Sequence, residues 1–152
     1  MPTNPQLIDT LNELLENIFD AKQGYDEAAN AISTDNSQLR TFLQEQVGLR
    51  DHFSRQLQQE IVQLGGHSEK GTSLVSALHR TWIDLKSKLV SESDRSVIDE
   101  CIRGEAEALA DYNDVLERDD LPDSTQQILE EQKQRIADVL DQLHQLKGSS
   151  KF

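Results

Sequence analysis

Apolar residues recur along this chain at alternating spacings of four and three, in separate runs divided by polar turns. The first run is Leu7, Leu11, Leu14, Ile18, Ala21, Tyr25, Ala28 and Ile32. That spacing is the seam of a left-handed bundle helix, and it predicts a helix over 6–33 started by Asn4-Pro5. Gly24 lies inside the run at a cost of about 1 kcal/mol in helix propensity, which a close helix crossing would offset. Thr34-Asp35-Asn36-Ser37 is a short turn rich in N-cap residues. A second helix over 37–64 follows, with Leu39, Phe42 or Leu43, Gln46, Leu49, Phe53, Leu57, Ile61 and Leu64 inward, and Gly65-Gly66 stops it. A third run, Leu74, Leu78, Trp82, Leu85 and Leu89, predicts a helix over 73–90. A fourth, over 94–118, turns Val97 or Ile98, Cys101, Glu105, Ala108, Tyr112 and Val115 inward. Pro122 sets the first turn of the last helix, 122–147, with Leu129, Gln132, Ile136, Val139, Leu143 and Leu146 inward.

Short loops after the first and fourth runs force antiparallel hairpins. The stretch from about Gly65 to Ser93 is too long for a turn, so the two hairpins are joined by a crossover. The predicted architecture is all-α: one domain over 1–152, folded as a ferritin-like, up-down-down-up four-helix bundle. Its one long crossover carries an extra amphipathic helix. His79, Arg80 and Trp82 are the expected anchor of that helix against the outside of the bundle, through packing and interface hydrogen bonds.

Composition narrows the function. The 152 residues carry a net charge of −13 with a pI of about 4.6. Nucleic acid and anionic membrane surfaces would both be repelled. Cys101, the single cysteine, lies on an apolar stripe and reads as a small core residue with no disulfide to make. No apolar run is long enough to span a bilayer, and Met-Pro-Thr-Asn-Pro lacks the features of a secretory signal. The expected setting is cytoplasmic and reducing.

Polar residues interrupt the seams at a few places. Glu105, Gln46 and Gln132 each occupy a position where the period calls for an apolar residue. Counting turns from the loops brings them to about mid-height with Tyr25, as a buried polar layer. A buried carboxylate must be paired, hydrogen-bonded or protonated. Two glutamines and a tyrosine hydroxyl could satisfy it without a metal, and Arg50 and Arg103 are further candidate partners. Such a layer would fix helix register. A di-iron bundle, by contrast, takes one Glu from each of two helices and a Glu-x-x-His pair from each of the other two. Leu49 stands three residues before His52, and Glu130 and Glu131 are followed three residues later by Lys133 and Gln134. Asp141 and His144 have the spacing but sit near the chain end. Glu105 is left as the one carboxylate on an inner position, so no metal ligand set is assigned. There is no phosphate-cradling glycine loop, no Gly-x-Ser-x-Gly elbow, and no nucleophile beside a base, so no catalytic residue is assigned.

Several of these segments resemble a bacterial family of ferritin-like four-helix proteins of unknown function. They are Gly24-Tyr25 with Ala28-Ala29, then Arg50, Phe53 and Leu57 through Leu64-Gly65-Gly66. Leu78-His79-Arg80-Thr81-Trp82 with Leu85-Lys86, and Glu100-Cys101 with Arg103-Gly104-Glu105 to Tyr112, complete the match. The resemblance implies the ferritin-like fold with a crossover helix and brings no substrate or reaction. Members carry a histidine midway along the last helix, where Leu140 stands here. The expectation is therefore a non-enzymatic interaction or structural protein without cofactor. A homodimer is its candidate assembly, built on an outer stripe of Leu15, Phe19, Lys22 and Ala29 unless the crossover helix covers it. The competing reading is iron binding or a di-metal oxidase, with Glu105 joined by Glu45, His52 and Glu131. A third makes the polar layer a small-ligand pocket.

Overall fold

A computed structural model describes residues 4–32, 35–68 and 94–148. They form four helices: α1 (Pro5–Ala31), α2 (Ser37–Gln63), α3 (Asp94–Leu116) and α4 (Asp123–Lys147). There is no strand among the described residues. The proposed crossover helix, with His79, Arg80 and Trp82, lies outside them.

Local chemistry sets the helix ends. The Asn4 side chain accepts a hydrogen bond from the Leu7 N–H at 3.2 Å, and Pro5, whose missing N–H costs nothing at a helix start, opens α1. Asn36 caps α2 in the same way through the Leu39 N–H at 3.2 Å. At the far end of α2, Gly65 takes a φ of 86°, a left-handed conformation that glycine adopts without strain. The Gly66 N–H then reaches back to the Ile61 carbonyl at 2.9 Å and the Gly65 N–H to Val62 at 3.0 Å, a Schellman stop. Gly66 also packs on α1. A Cβ there would stand 2.7 Å from Ile8 Cγ2, so this second glycine is needed for close approach. α1 ends at Ala31 because Ile32 turns extended, and the Arg40 side chain donates to the freed Ala29 and Ile32 carbonyls at 3.1 and 3.2 Å.

Contacts at the helix ends give the direction of each rod. Asn4, at the start of α1, donates to Asp120 just beyond α3. Asn36, at the start of α2, donates to Asp94, the first residue of α3. Glu60, near the end of α2, accepts from Ser124 and Thr125 in the first turn of α4. So α1 and α4 run up, while α2 and α3 run down. α1 packs on α2 and α3 on α4 as hairpins, α1 also touches α3, and α2 also touches α4. The pairs α1/α4 and α2/α3 face each other across the diagonals.

The core falls into two apolar clusters. One holds Ala21, Tyr25, Ala28, Leu39, Leu43, Val97, Ile98, Cys101, Val139 and Leu143, with neighbours. The other holds Leu7, Leu11, Leu14, Ile18, Phe53, Leu57, Ile61, Ala108, Tyr112, Leu129 and Ile136, with neighbours. Each fully buried Leu or Ile contributes about 1.5–3 kcal/mol by leaving water, which is what draws the rods together. Leu15 and Ala29 on the outer stripe of α1 are buried as well, and Phe19 and Lys22 are half-buried. Two of the four residues of the expected homodimer stripe, Leu15 and Ala29, are thus covered within one chain, while Phe19 and Lys22 stay partly exposed.

Candidate functional site

Between the two clusters the seam turns polar, and one charged group from α2 meets one from α3 across the bundle diagonal. Glu105 is 0% exposed and Arg50 is 1% exposed. The Arg50 guanidinium donates to both carboxylate oxygens, through Nη1 to Oε2 at 2.9 Å and through Nη2 to Oε1. Tyr25 on α1 adds its hydroxyl, donating to Oε2 at 2.7 Å. The guanidinium carbon stands 5.8 Å from the Tyr25 ring centre and 5.7 Å from that of Phe53, within cation–π range. Three helices thus converge on a two-pronged ion pair, the geometry for which arginine is better suited than lysine.

The surroundings obey this charge. Burial by itself would lower the Arg50 pKa, but the Glu105 charge and hydrogen bonds outweigh it, and the guanidinium is held more firmly protonated. Burial first, and then the Glu105 charge, push the Tyr25 hydroxyl well above its usual range, so it stays a proton donor. The same two causes raise the thiol of Cys101, one turn before Glu105. Cys101 is accordingly an inert core residue, not a thiolate nucleophile.

The four residues expected to share one polar layer are all buried, but they do not form one network. Tyr25 and Glu105 meet directly. Gln132 belongs to a second cluster further down α2. The Tyr112 hydroxyl donates to its Oε1 at 2.7 Å, and its Nε2 donates to the Phe53 carbonyl at 3.3 Å and to Gln56 Oε1 at 3.0 Å. Phe53 and Gln56 follow Arg50 by one to two helical turns, and at about 1.5 Å of rise per residue that separates the two levels. Gln46 lies one turn before Arg50. It donates to its own helix at the Phe42 carbonyl, 3.2 Å away, and its Oε1 is buried without a hydrogen-bond partner among the described residues. Of the two arginines considered for Glu105, Arg50 takes it, while Arg103 pairs with Glu100 at 2.7 Å on its own helix.

The other residues of the iron reading are dispersed. Glu45, His52 and Glu131 are exposed. Glu45 lines a cleft of about 590 Å³ between α2 and α4 with Ser37, Thr41, Phe42, Gln142 and Leu146. Glu131 accepts from Gln127 at 3.4 Å. Asp141 and His144 are exposed on α4. No group of three or more His, Cys, Asp or Glu side chains among the described residues is arranged to hold a metal ion. Sequence reasoning missed Glu60, 5% exposed, which accepts from Ser124 Oγ at 2.9 Å and Thr125 Oγ1 at 2.8 Å. Its signal was present: a carboxylate at the end of one rod and two hydroxyls in the first turn of the next, where a helix N-terminus favours negative charge.

Residues 6–118, which carry Tyr25, Arg50 and Glu105, match the family described as Domain of unknown function (DUF2383). The chain belongs to that family. Two solved structures place this DUF2383 member among ferritin-like folds. One is the Dps protein from Vibrio cholerae O1, described as a member of a broad superfamily of ferritin-like diiron-carboxylate proteins. It is 17% identical, with a TM-score of 0.74, over 96% of this chain and 97% of that one. The other is a dodecameric thioferritin, the bacterioferritin-related protein from Bacteroides fragilis. It is 18% identical, with a TM-score of 0.64, over 96% and 90% of the two chains. At this identity the likeness is one of fold, and it bears out the ferritin-like bundle read from the hydrophobic pattern. No curated protein matches the chain. No helix among the described residues is long and apolar enough to cross a membrane.

Proposed function

We propose that this DUF2383 protein is a ferritin-like bundle that works through protein contacts, its own copies included, and that its centre is closed to metal by an internal ion pair. One observation carries the reading: the Arg50 guanidinium engages both oxygens of Glu105, and Tyr25 donates to one of them. A di-metal centre draws its ligands from carboxylates and histidines of all four helices. Here the centre supplies one carboxylate, already neutralised, and a fixed positive charge that would repel a second cation. These residues do not fit a di-iron site, and no reaction step is assigned to one. The setting is cytoplasmic and reducing, in keeping with a single buried cysteine.

Self-association gains support from the dodecameric Bacteroides structure. The outward faces favour polar contacts, since Val62 is the only exposed large apolar side chain among the described residues. Chains of net charge −13 repel one another, so any homo-oligomer should strengthen as salt screens that repulsion. The test is a pair of measurements on protein purified without chelator. Metal content should be far below one ion per chain and ferrous iron should leave the melting temperature unchanged. Light scattering should show larger species at high salt than at low. Bound iron near stoichiometry, or a rise in melting temperature on adding it, would discard the closed centre. A strict monomer at both salt concentrations would discard the homo-oligomer.

A further inference from the structure

Arg50 sits in the bundle as a bound ligand sits in a receptor. Its guanidinium is held by a carboxylate from α3, that carboxylate is oriented by a hydroxyl from α1, and the faces of Tyr25 and Phe53 wall it in at 5.8 and 5.7 Å. Phe53 alone comes from the helix that carries Arg50. The other groups arrive from helices that only the folded bundle brings near. We propose that the bundle centre is an organic-cation site whose resident occupant is the chain's own Arg50 guanidinium, with Glu105 as counter-ion and the Tyr25 and Phe53 rings as walls. This deepens the closed-centre reading and rests on it.

The chemistry of the cage selects the class of cation. One carboxylate and two aromatic faces suit a planar, weakly hydrated cation, which gains from cation–π contact and matches the two oxygens with two parallel N–H donors. A compact divalent ion needs several oxygen or nitrogen ligands to replace its water, and the cage offers one charged group. Fully buried, a guanidinium there has no water to compete for either oxygen. Shortening Arg50 should therefore leave a site shaped for guanidinium and lined by an uncompensated carboxylate.

The experiment is chemical rescue in the full chain. Arg50→Ala should melt well below the natural protein. Adding methylguanidinium or guanidinium chloride to about 10 mM should restore at least a third of the lost melting temperature, in a saturable, one-site manner. At that concentration denaturation is negligible, because it scales linearly with concentration and needs molar amounts. Sodium chloride at equal ionic strength should not reproduce the recovery. The double variant Arg50→Ala with Glu105→Leu keeps the space but lacks the counter-ion, and it should show no recovery. If Arg50→Ala is unfolded alone, the same rescue should be read as helix content by circular dichroism. Recovery no greater than with sodium chloride, or equal recovery in the double variant, would overturn the proposal. So would an unfolded Arg50→Ala that guanidinium cannot fold. Iron binding by the natural protein would defeat the closed-centre reading instead, which keeps the two failures apart.

Discussion

The bundle buries two tyrosine-centred polar clusters, and they meet the cost of burial with different chemistry. In the upper one, Tyr25 donates to Glu105, and Arg50 cancels the charge. In the lower one, Tyr112 donates to Gln132, whose amide passes its own hydrogen bonds to Gln56 and the Phe53 carbonyl, with no formal charge anywhere. Burial drives both tyrosine hydroxyls above their usual range, so each remains a donor. The neutral cluster satisfies its polar atoms and can lose one at moderate cost. The charged cluster is all-or-none, since neither ion can stay in the core without the other. The same difference bears on function. A carboxylate bound on both oxygens has little left to offer a metal, whereas a buried amide never had a charge to offer.

The largest effect expected on this comparison is at Arg50. Arg50→Met removes one ion and strands Glu105, and should cost about 3–5 kcal/mol in urea unfolding. Replacing both ions, as Arg50→Met with Glu105→Leu, should return stability to that of the natural protein or above it, because packed apolar groups need no desolvation to be offset. A double variant as unstable as the single one would mean that the pair contributes net stability beyond its burial cost. In the neutral cluster Tyr112→Phe leaves Gln132 Oε1 without its donor, at a cost of about 1–3 kcal/mol. A loss at Tyr112 equal to that at Arg50 would erase the distinction between the clusters.

How far these clusters could be foreseen follows from the physics of each signal. Helical period is written in apolar residues, so Leu7 to Ile32 and Leu129 to Leu146 read out as rods, and Asn4-Pro5 and Gly65-Gly66 as their punctuation. Glu105 stood out for the same reason, as a charge on an apolar seam. Its partner was harder to choose. Arg50 lies on the buried seam of α2, in step with Leu43, Gln46, Phe53 and Leu57, but a period read from apolar residues picks its neighbour Leu49, which is only half-buried. Counting turns puts Gln132 level with Glu105. A few ångströms of helix shift decide whether two side chains on different rods share a hydrogen bond, and turn counting does not resolve that. Glu60 escaped because it is paired through the end of a helix, where period carries no information.

A third polar residue sharpens the contrast by being only half satisfied: the Gln46 amide donates to the Phe42 carbonyl of its own helix. Gln46 is 4% exposed, and its Oε1 has no hydrogen-bond partner among the described residues. Removing an unsatisfied polar atom in favour of an apolar group of like shape is neutral or stabilising. Gln46→Met should therefore raise stability by about 1 kcal/mol in the same urea series. A loss of that size would indicate that the amide is satisfied in solution and belongs with the working clusters.

The smallest effect lies where a carboxylate is half-buried and makes no ion pair among the described residues. Asp111 on α3 has Glu107 and Asp114 on its own helix. It lines a cavity of about 300 Å³ with Thr10 and Glu13 of α1, Asp114 and Arg118. Its Oδ2 is buried without a hydrogen-bond partner among the described residues. Burial first, then the charges of Glu107 and Asp114, push its pKa from 3.8 up to about 6. A carboxyl raised on folding makes the native state bind its proton more tightly than the unfolded chain does. The penalty is therefore full above about pH 6 and fades as pH falls toward the ordinary carboxylate value. With solvent screening at a half-open site, the effect is on the order of 1 kcal/mol or less. Asp111→Asn should thus stabilise the protein at pH 7.5 and change little near pH 4.5. Glu117→Gln, which removes a charge from an exposed site just beyond the end of α3, separates this from a general easing of net charge. Equal gains from the two variants, or a gain at Asp111 that persists at low pH, would place the effect in overall repulsion. Asp111 would then join the solvated exterior and cease to be the uncompensated counterpart of Glu105.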